Sequence, residues 1–125
     1  MNFNQLRPHS MPFKLIRLGG RGDGAYLIPN DLKNIEACFS PGVSYSKFFE
    51  DDLTNLFNID CHLCDFSTDL KKLSTPLIKN KQTFEKKWLD LNESKDTINL
   101  QNWIDKNAEK LAKEVINEQA KKIFK

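Results

Sequence analysis

Two residues in the first half of the chain, Gly42 and Asp65, have the types and the spacing of a ligand-binding strand–helix–strand unit. Gly42 follows Ser40 and Pro41 in a turn after the apolar run 36–39, and such a turn lets a ligand approach the backbone. Asp65 comes about 20 residues later, where a carboxylate can accept hydrogen bonds from ribose hydroxyls. Only one glycine is present, and an ordinary turn followed by a strand-ending aspartate gives the same pattern.

The pattern of apolar residues predicts the elements that would position these groups. The runs 36–39 and 60–65 predict two adjacent parallel strands, and the segment between them predicts a helix capped by Ser44 or Ser46 and stopped at Asn58. Two strands joined by one helix form a βαβ unit. The apolar face of the helix comprises Phe49, Leu53 and either Leu56 or Phe57.

A glycine-rich segment, 19–24, lies between two apolar runs and predicts a β-hairpin formed by 13–18 and 25–28. The same segment could be taken for a phosphate-binding loop. However, no Gly-Lys-Ser/Thr follows, and the next element is a strand, so the helix terminus that would bind an anion is missing. After the hairpin, Asn30 or Asp31 can cap a short helix.

The second half of the chain predicts a short helical turn over 68–73, a third strand over 83–91 and a helix beginning after Asn99. From 107 to 125 the apolar residues recur at helical spacing, with glutamates early and lysines late, as suits the helix dipole. The apolar stripe of this C-terminal helix faces either the core or a binding partner.

Cys61 and Cys64 form a CxxC pair, which can bind zinc or carry thiol redox chemistry. Because side chains alternate along a strand, the two sulfurs are expected on opposite faces. Small buried apolar residues are therefore the favoured interpretation, and we assign no metal. A metal or thiol protein stays as an alternative function.

Composition narrows the classes of protein. The 125 residues suffice for one domain, and a formal net charge of +2 is too balanced to indicate nucleic acid or an anionic membrane as partner. No apolar run approaches the roughly 20 residues of a membrane span, and the first residues lack an apolar signal core. A cytoplasmic location is the default expectation.

Four runs occur in this order over residues 13–105: FKLIRLGGRGDGAYLIP, ACFSPGVSYSKFFEDDL, CHLCDFS and FEKKWLDLNESKDTINLQNWI. Together they resemble the FkbM-type methyltransferases, which depend on S-adenosylmethionine and have a Rossmann-like fold. The resemblance implies an α/β chain, with a partial Rossmann-like methyltransferase fold, an N-terminal β-hairpin and a C-terminal amphipathic helix. It divides the chain into a loose N-terminus at 1–12, the N-terminal half of a methyltransferase-like domain at 13–106, and the helix 107–125.

The resemblance also implies roles for particular residues. Ser40, Pro41 and Gly42 become the cofactor turn, Glu50 a polar group near that turn, and Asp65 the ribose acceptor. The matches to the family's hairpin motif, whose role is either substrate-side or structural, are Asp23, Gly24 and Tyr26.

Family members continue with a strand reading like LILKMDIEGAE, and nothing after Ile104 matches it. We therefore expect a truncated, split or degenerate methyltransferase for a sugar or another small hydroxyl acceptor, with no assignable catalytic base. Binding of S-adenosylmethionine by this chain alone is expected to be weak or absent, and methyl transfer to be slight or absent. The alternative from another class is a non-catalytic interaction protein that binds itself or a partner through an open sheet edge or the C-terminal helix.

Overall fold

The computed structural model describes residues 12–108 and 121, and these form a mixed α/β fold. A hairpin precedes a parallel sheet, and a short two-stranded pair follows it. The strands in chain order are β1 (Leu15–Leu18), β2 (Tyr26–Pro29), β3 (Ala37–Pro41), β4 (Asp60–Cys64), β5 (Gln82–Glu85), β6 (Trp88–Leu89) and β7 (Thr97–Ile98).

Helices make two of the connections. Helix α1 (Phe48–Phe57) joins β3 to β4, and the 3₁₀ helix Leu70–Lys72 lies between β4 and β5. A second helix, α2, is described over 100–108, and the side chain of Asn99 accepts hydrogen bonds from the backbone at its start, as predicted. Most of the predicted helix 107–125, and residues 1–11 of the predicted loose N-terminus, lie outside the described residues.

The parallel sheet confirms the predicted pairing of the first two strands of the βαβ unit. β4 lies between β3 and β5, and both pairs are parallel. In the β3–β4 register Ala37 lies opposite Asp60 and Cys38 opposite Cys61. The carboxyl ends of all three strands therefore meet at one edge of the sheet.

Each face of this sheet carries its own core cluster. On one face Leu53 of α1 packs with Cys61 and Leu63, together with Leu18 of the hairpin. On the other face Cys64 packs with the fully buried Trp103 of α2. The two CxxC sulfurs thus belong to different clusters, which confirms their predicted placement on opposite faces of the strand.

The hairpin is antiparallel, as predicted, and forms a separate sheet that packs against α1. The rings of Tyr26 and Phe49 meet edge to face with their centroids 5.1 Å apart. Gly19 has φ +91°, and a Cβ there would lie 2.9 Å from the Gly24 carbonyl oxygen and 3.1 Å from the Phe49 nitrogen. Because only glycine fits this approach, the hairpin loop can lie directly on the first turn of the helix.

Helix α1 differs from its prediction at its start and agrees with it at its end. The N-cap is Lys47 rather than Ser44 or Ser46, and no side chain caps the helix. Ser44 is instead held in a left-handed turn at φ 56°, which delays the helix. Asn58 ends the helix in the left-handed conformation, as predicted. Of the two predicted alternatives for the apolar face, Phe57 packs on the core and Leu56 is exposed.

Two other predicted elements are wrong. The predicted third strand, 83–91, is divided into β5 and β6, which belong to different sheets. The chain turns between them, where the amide of Lys87 donates to the carbonyl of Glu85. At the same turn the ammonium of Lys86 donates to the carboxylate of Asp69. The short helix expected after Asn30 is only a turn, because a single backbone bond closes it before β3 begins.

Trp103 is the largest fully buried side chain of the described core, and its ring meets Phe39 edge to face at 5.1 Å. Replacing it with alanine leaves a large cavity between α2 and the sheet. We expect Trp103→Ala to lower the free energy of unfolding by about 3 kcal/mol or more, measured by urea denaturation. Leu91→Ala, at a side chain that is 87% exposed, is the matched control and should change it by less than about 0.5 kcal/mol.

Candidate functional site

A cleft of about 1040 Å³ opens at the carboxyl end of β3. Its floor is the turn 40–42, one wall is the hairpin loop 19–24, and the other wall is the segment 43–46 with the first turn of α1. The cleft brings together four of the five predicted site residues, namely Ser40, Pro41, Gly42 and Glu50, and also the hairpin-motif residues Asp23, Gly24 and Tyr26.

The floor of the cleft depends on the conformation of Gly42. Its amide donates to the carbonyl of Cys64 at 2.8 Å, which extends the contact between β3 and β4 beyond the last paired residues. Its φ is +74°, and a Cβ built there would meet no atom within 4 Å. The space above this backbone is therefore open.

The hairpin wall is fastened to α1 by Asp52. One carboxylate oxygen of Asp52 accepts a hydrogen bond from the Gly19 amide at 2.7 Å. Together with the close approach of Gly19 to Phe49, this bond fixes the glycine-rich loop beside the first turn of the helix. Sequence reasoning treated that loop as an ordinary turn and missed that it forms one wall of the site.

The opposite wall is held by Asp65, which is only 4% exposed. Its Oδ2 accepts from the Ser44 amide at 2.6 Å, and its Oδ1 accepts from the amide of Ser67 at 2.7 Å and the hydroxyl of Ser67 at 2.6 Å. Burial acts to raise the pKa of Asp65, but these hydrogen bonds and the charge of Lys86 hold it below its ordinary value.

Asp65 does not line this cleft, although it was predicted as the ribose acceptor. Both of its oxygens are engaged within the protein, where they tie the end of β4 to the loop after β3. In this arrangement Asp65 positions the wall of the cleft. A ribose contact by Asp65 stays a prediction, and it would require exchange of one of these hydrogen bonds.

A buried polar network underlies the first turn of α1. Lys47 is fully buried, and its ammonium contacts Asp51 and donates to the amide oxygen of Gln82 at 2.8 Å. Asp51 also accepts from the hydroxyl of Thr75 at 2.5 Å. These partners satisfy both charges, so Lys47 and Asp51 attach the helix to β5 and are not available to a ligand.

Glu50 is 6% exposed and lies on the face of α1 that also buries Leu53 and Thr54. It makes no side-chain hydrogen bond or ion pair with any residue that the structure describes. It lies one turn nearer the start of the helix than Leu53 and lines the cleft. The resemblance to FkbM-type methyltransferases implies that Glu50 is a polar group near the cofactor turn.

The two cysteines that are neighbours in the sheet are not the two of the CxxC motif. All three are free thiols, and Cys38 lies opposite Cys61 in the register of β3 and β4. A hydrogen bond from Cys61, opposed by burial, lowers the pKa of Cys38 to about 7, and the same bond together with burial raises the pKa of Cys61. Within the described residues, no group of three or more side chains is arranged to hold a metal ion.

Comparisons with known proteins add no assignment. No family model matches the chain, and neither the curated proteins nor the solved structures include a match. In addition, no helix in the described part of the chain has both the length and the apolar character of a membrane span.

The bonds of Asp65 lead to a pH-dependent prediction. We expect Asp65→Asn to lower the free energy of unfolding by about 2 kcal/mol near neutral pH, because three charge-assisted bonds are weakened. The pKa of Asp65 is lowered in the folded state, so its stabilisation is present above the unfolded pKa of about 3.9 and is lost as the pH falls through the folded value. The difference between wild type and variant, from urea denaturation, should therefore shrink in acid. Asp31→Asn, at an exposed aspartate, is the control, and an equal loss in both variants would contradict the assignment.

The thiol arrangement predicts selective alkylation. Cys38 is half-buried with a lowered pKa, whereas Cys61 and Cys64 are buried with raised values. Iodoacetamide should therefore label Cys38 first in the folded protein, with a rate that rises with pH through about 7. Peptide mass spectrometry measures the labelled position, and the other two thiols should react only after denaturation. Equal labelling of all three cysteines in the folded protein would refute this prediction.

Proposed function

We propose that this domain binds S-adenosylmethionine and belongs functionally with methyltransferases that have a Rossmann-like fold. The observation that carries the proposal is the open space above the backbone of Gly42, at the carboxyl end of a parallel strand and in front of a helix. In open α/β sheets, ligands bind in the crevice outside the carboxyl ends of the strands. The sequence motifs that resemble FkbM-type methyltransferases place the cofactor turn at the same residues, 40–42.

The lining of the cleft suits the chemistry of this cofactor. Tyr26, Tyr45 and Phe48 are aromatic side chains with large exposed fractions, and they can contact an adenine ring or a cationic sulfur. Glu50 offers a carboxylate to a cation or to hydroxyl donors. Gly42 has no side chain, so a ligand can approach its backbone closely. These residues would hold the cofactor, which supplies an already activated methyl group.

For transfer of that methyl group, the protein mainly has to place an acceptor oxygen in line and assist its deprotonation. A sugar or another small hydroxyl compound is the acceptor class that the resemblance favours. The described residues that line the cleft include no histidine, and we assign no general base. Because the internal bonds of Asp65 also reduce the contacts available to ribose, we expect weak binding by this chain alone.

Nuclear magnetic resonance titration with S-adenosylmethionine tests the proposal. We expect shifts of the amides of Gly42, Ser44 and Glu50, with a Kd on the order of 0.1–1 mM. Tyr45→Ala should weaken binding by about threefold to tenfold, because an aromatic contact is lost at a side chain that is 63% exposed and not needed for folding. Leu91→Ala, outside the cleft, should bind as wild type does.

No shift of these amides at saturating cofactor would contradict the proposal. That outcome would favour the alternative of a non-catalytic interaction protein.

A further inference from the structure

The cleft contains one carboxylate that no described residue neutralises or hydrogen-bonds. Glu50 is 6% exposed and lacks any hydrogen-bond or ion-pair partner among the described residues. Its carboxylate oxygens are not among the buried, unpaired polar atoms of the described residues, so they are open to the cleft, close to the partial positive charge at the helix N-terminus. The negative charge of Glu50 is also felt by Cys38 and Cys61 beneath it, where it acts to raise both thiol pKa values.

The other carboxylates of the cleft each have a hydrogen-bond or ion-pair partner within the protein. Asp51 contacts the buried ammonium of Lys47, and Asp52 accepts the amide of Gly19. Asp23 accepts the amide of the next residue in its own loop. Glu50 is therefore the carboxylate of the described cleft that no structural contact explains.

We propose that Glu50 is the anionic anchor of the cleft and binds the cationic centre of its ligand, an organic ammonium or sulfonium group. Phe49 and Tyr26 pack together beside it in the lining, and Phe48 and Tyr45 are exposed there. A carboxylate accompanied by aromatic rings is a combination that binds organic cations. The inference deepens the proposed function when the ligand is S-adenosylmethionine, since that cofactor carries both kinds of cation.

Arg21 is the competing partner for Glu50. It lies on the hairpin loop, is exposed and is the one cationic side chain among the described lining residues. If Arg21 folded over the cleft to pair with Glu50, no ligand cation would be needed. In that case Glu50→Gln and Arg21→Ala would both lower the Tm of the ligand-free protein, because each would break the same ion pair.

The test compares Glu50→Gln with wild type, Arg21→Ala and Leu91→Ala. Glutamine keeps the size of the side chain and removes its charge. We expect Glu50→Gln to raise the Kd for S-adenosylmethionine at least tenfold, because the cation of the ligand loses its counter-charge. Leu91→Ala should keep the wild-type Kd within about twofold. Unchanged binding by Glu50→Gln, or an equal lowering of the Tm by Glu50→Gln and Arg21→Ala, would each overturn the proposal.

A second probe keeps this inference distinct from the identity of the cofactor. The trimethylsulfonium ion carries the cationic centre alone, and dimethyl sulfide is its neutral counterpart. Shifts of the Glu50 and Gly42 amides with the ion but not with the sulfide, in wild type and not in Glu50→Gln, would support the anchor even if S-adenosylmethionine did not bind. Shifts with neither S-adenosylmethionine nor the ion would refute it.

Discussion

The carboxylate of Asp65 is the point on which the geometry of the cleft depends. It is buried at the end of β4 and accepts three hydrogen bonds, one of them from the amide of Ser44 across the sheet edge. This contact holds Ser44 in a left-handed turn and, with the bond from Gly42 to Cys64, sets the path of the chain from β3 into α1. Since these are charge-assisted bonds to a largely buried carboxylate, breaking one would leave the charge with fewer hydrogen-bond partners.

A second buried charge orients the helix that follows. Lys47 stands at the N-cap of α1 and reaches Gln82 on β5, with Asp51 as its counter-ion. Removing either partner would leave an uncompensated charge in the core, so the rotation of the helix about its axis is well specified. That rotation places Glu50 on the buried face of the helix and in the lining of the cleft. The buried network thus positions a carboxylate that has no hydrogen-bond or ion-pair partner among the described residues.

Local pattern in the sequence was enough to predict the parallel pair β3 and β4, the hairpin, the end of the helix at Asn58 and the opposite faces of Cys61 and Cys64. Each of these depends on residues within one element or one turn, where periodicity and backbone preference act. The same local reasoning misplaced the helix cap and continued the third strand too far. At the helix cap a distant side chain determines the path, because Asp65 holds Ser44. At the strand the chain turns where the amide of Lys87 donates to the carbonyl of Glu85.

The tertiary structure alone decided the composition of the candidate site. It placed the loop 19–24 against α1 through Asp52, and it engaged Asp65 in hydrogen bonds outside the cleft lining. It also placed Glu50 in the lining without a partner among the described residues. The sequence specified the residue types and an approximate strand-to-helix turn. It could not specify which carboxylates find partners, because hydrogen bonds between residues far apart in the chain follow from how the sheet, helix and hairpin pack and not from their spacing.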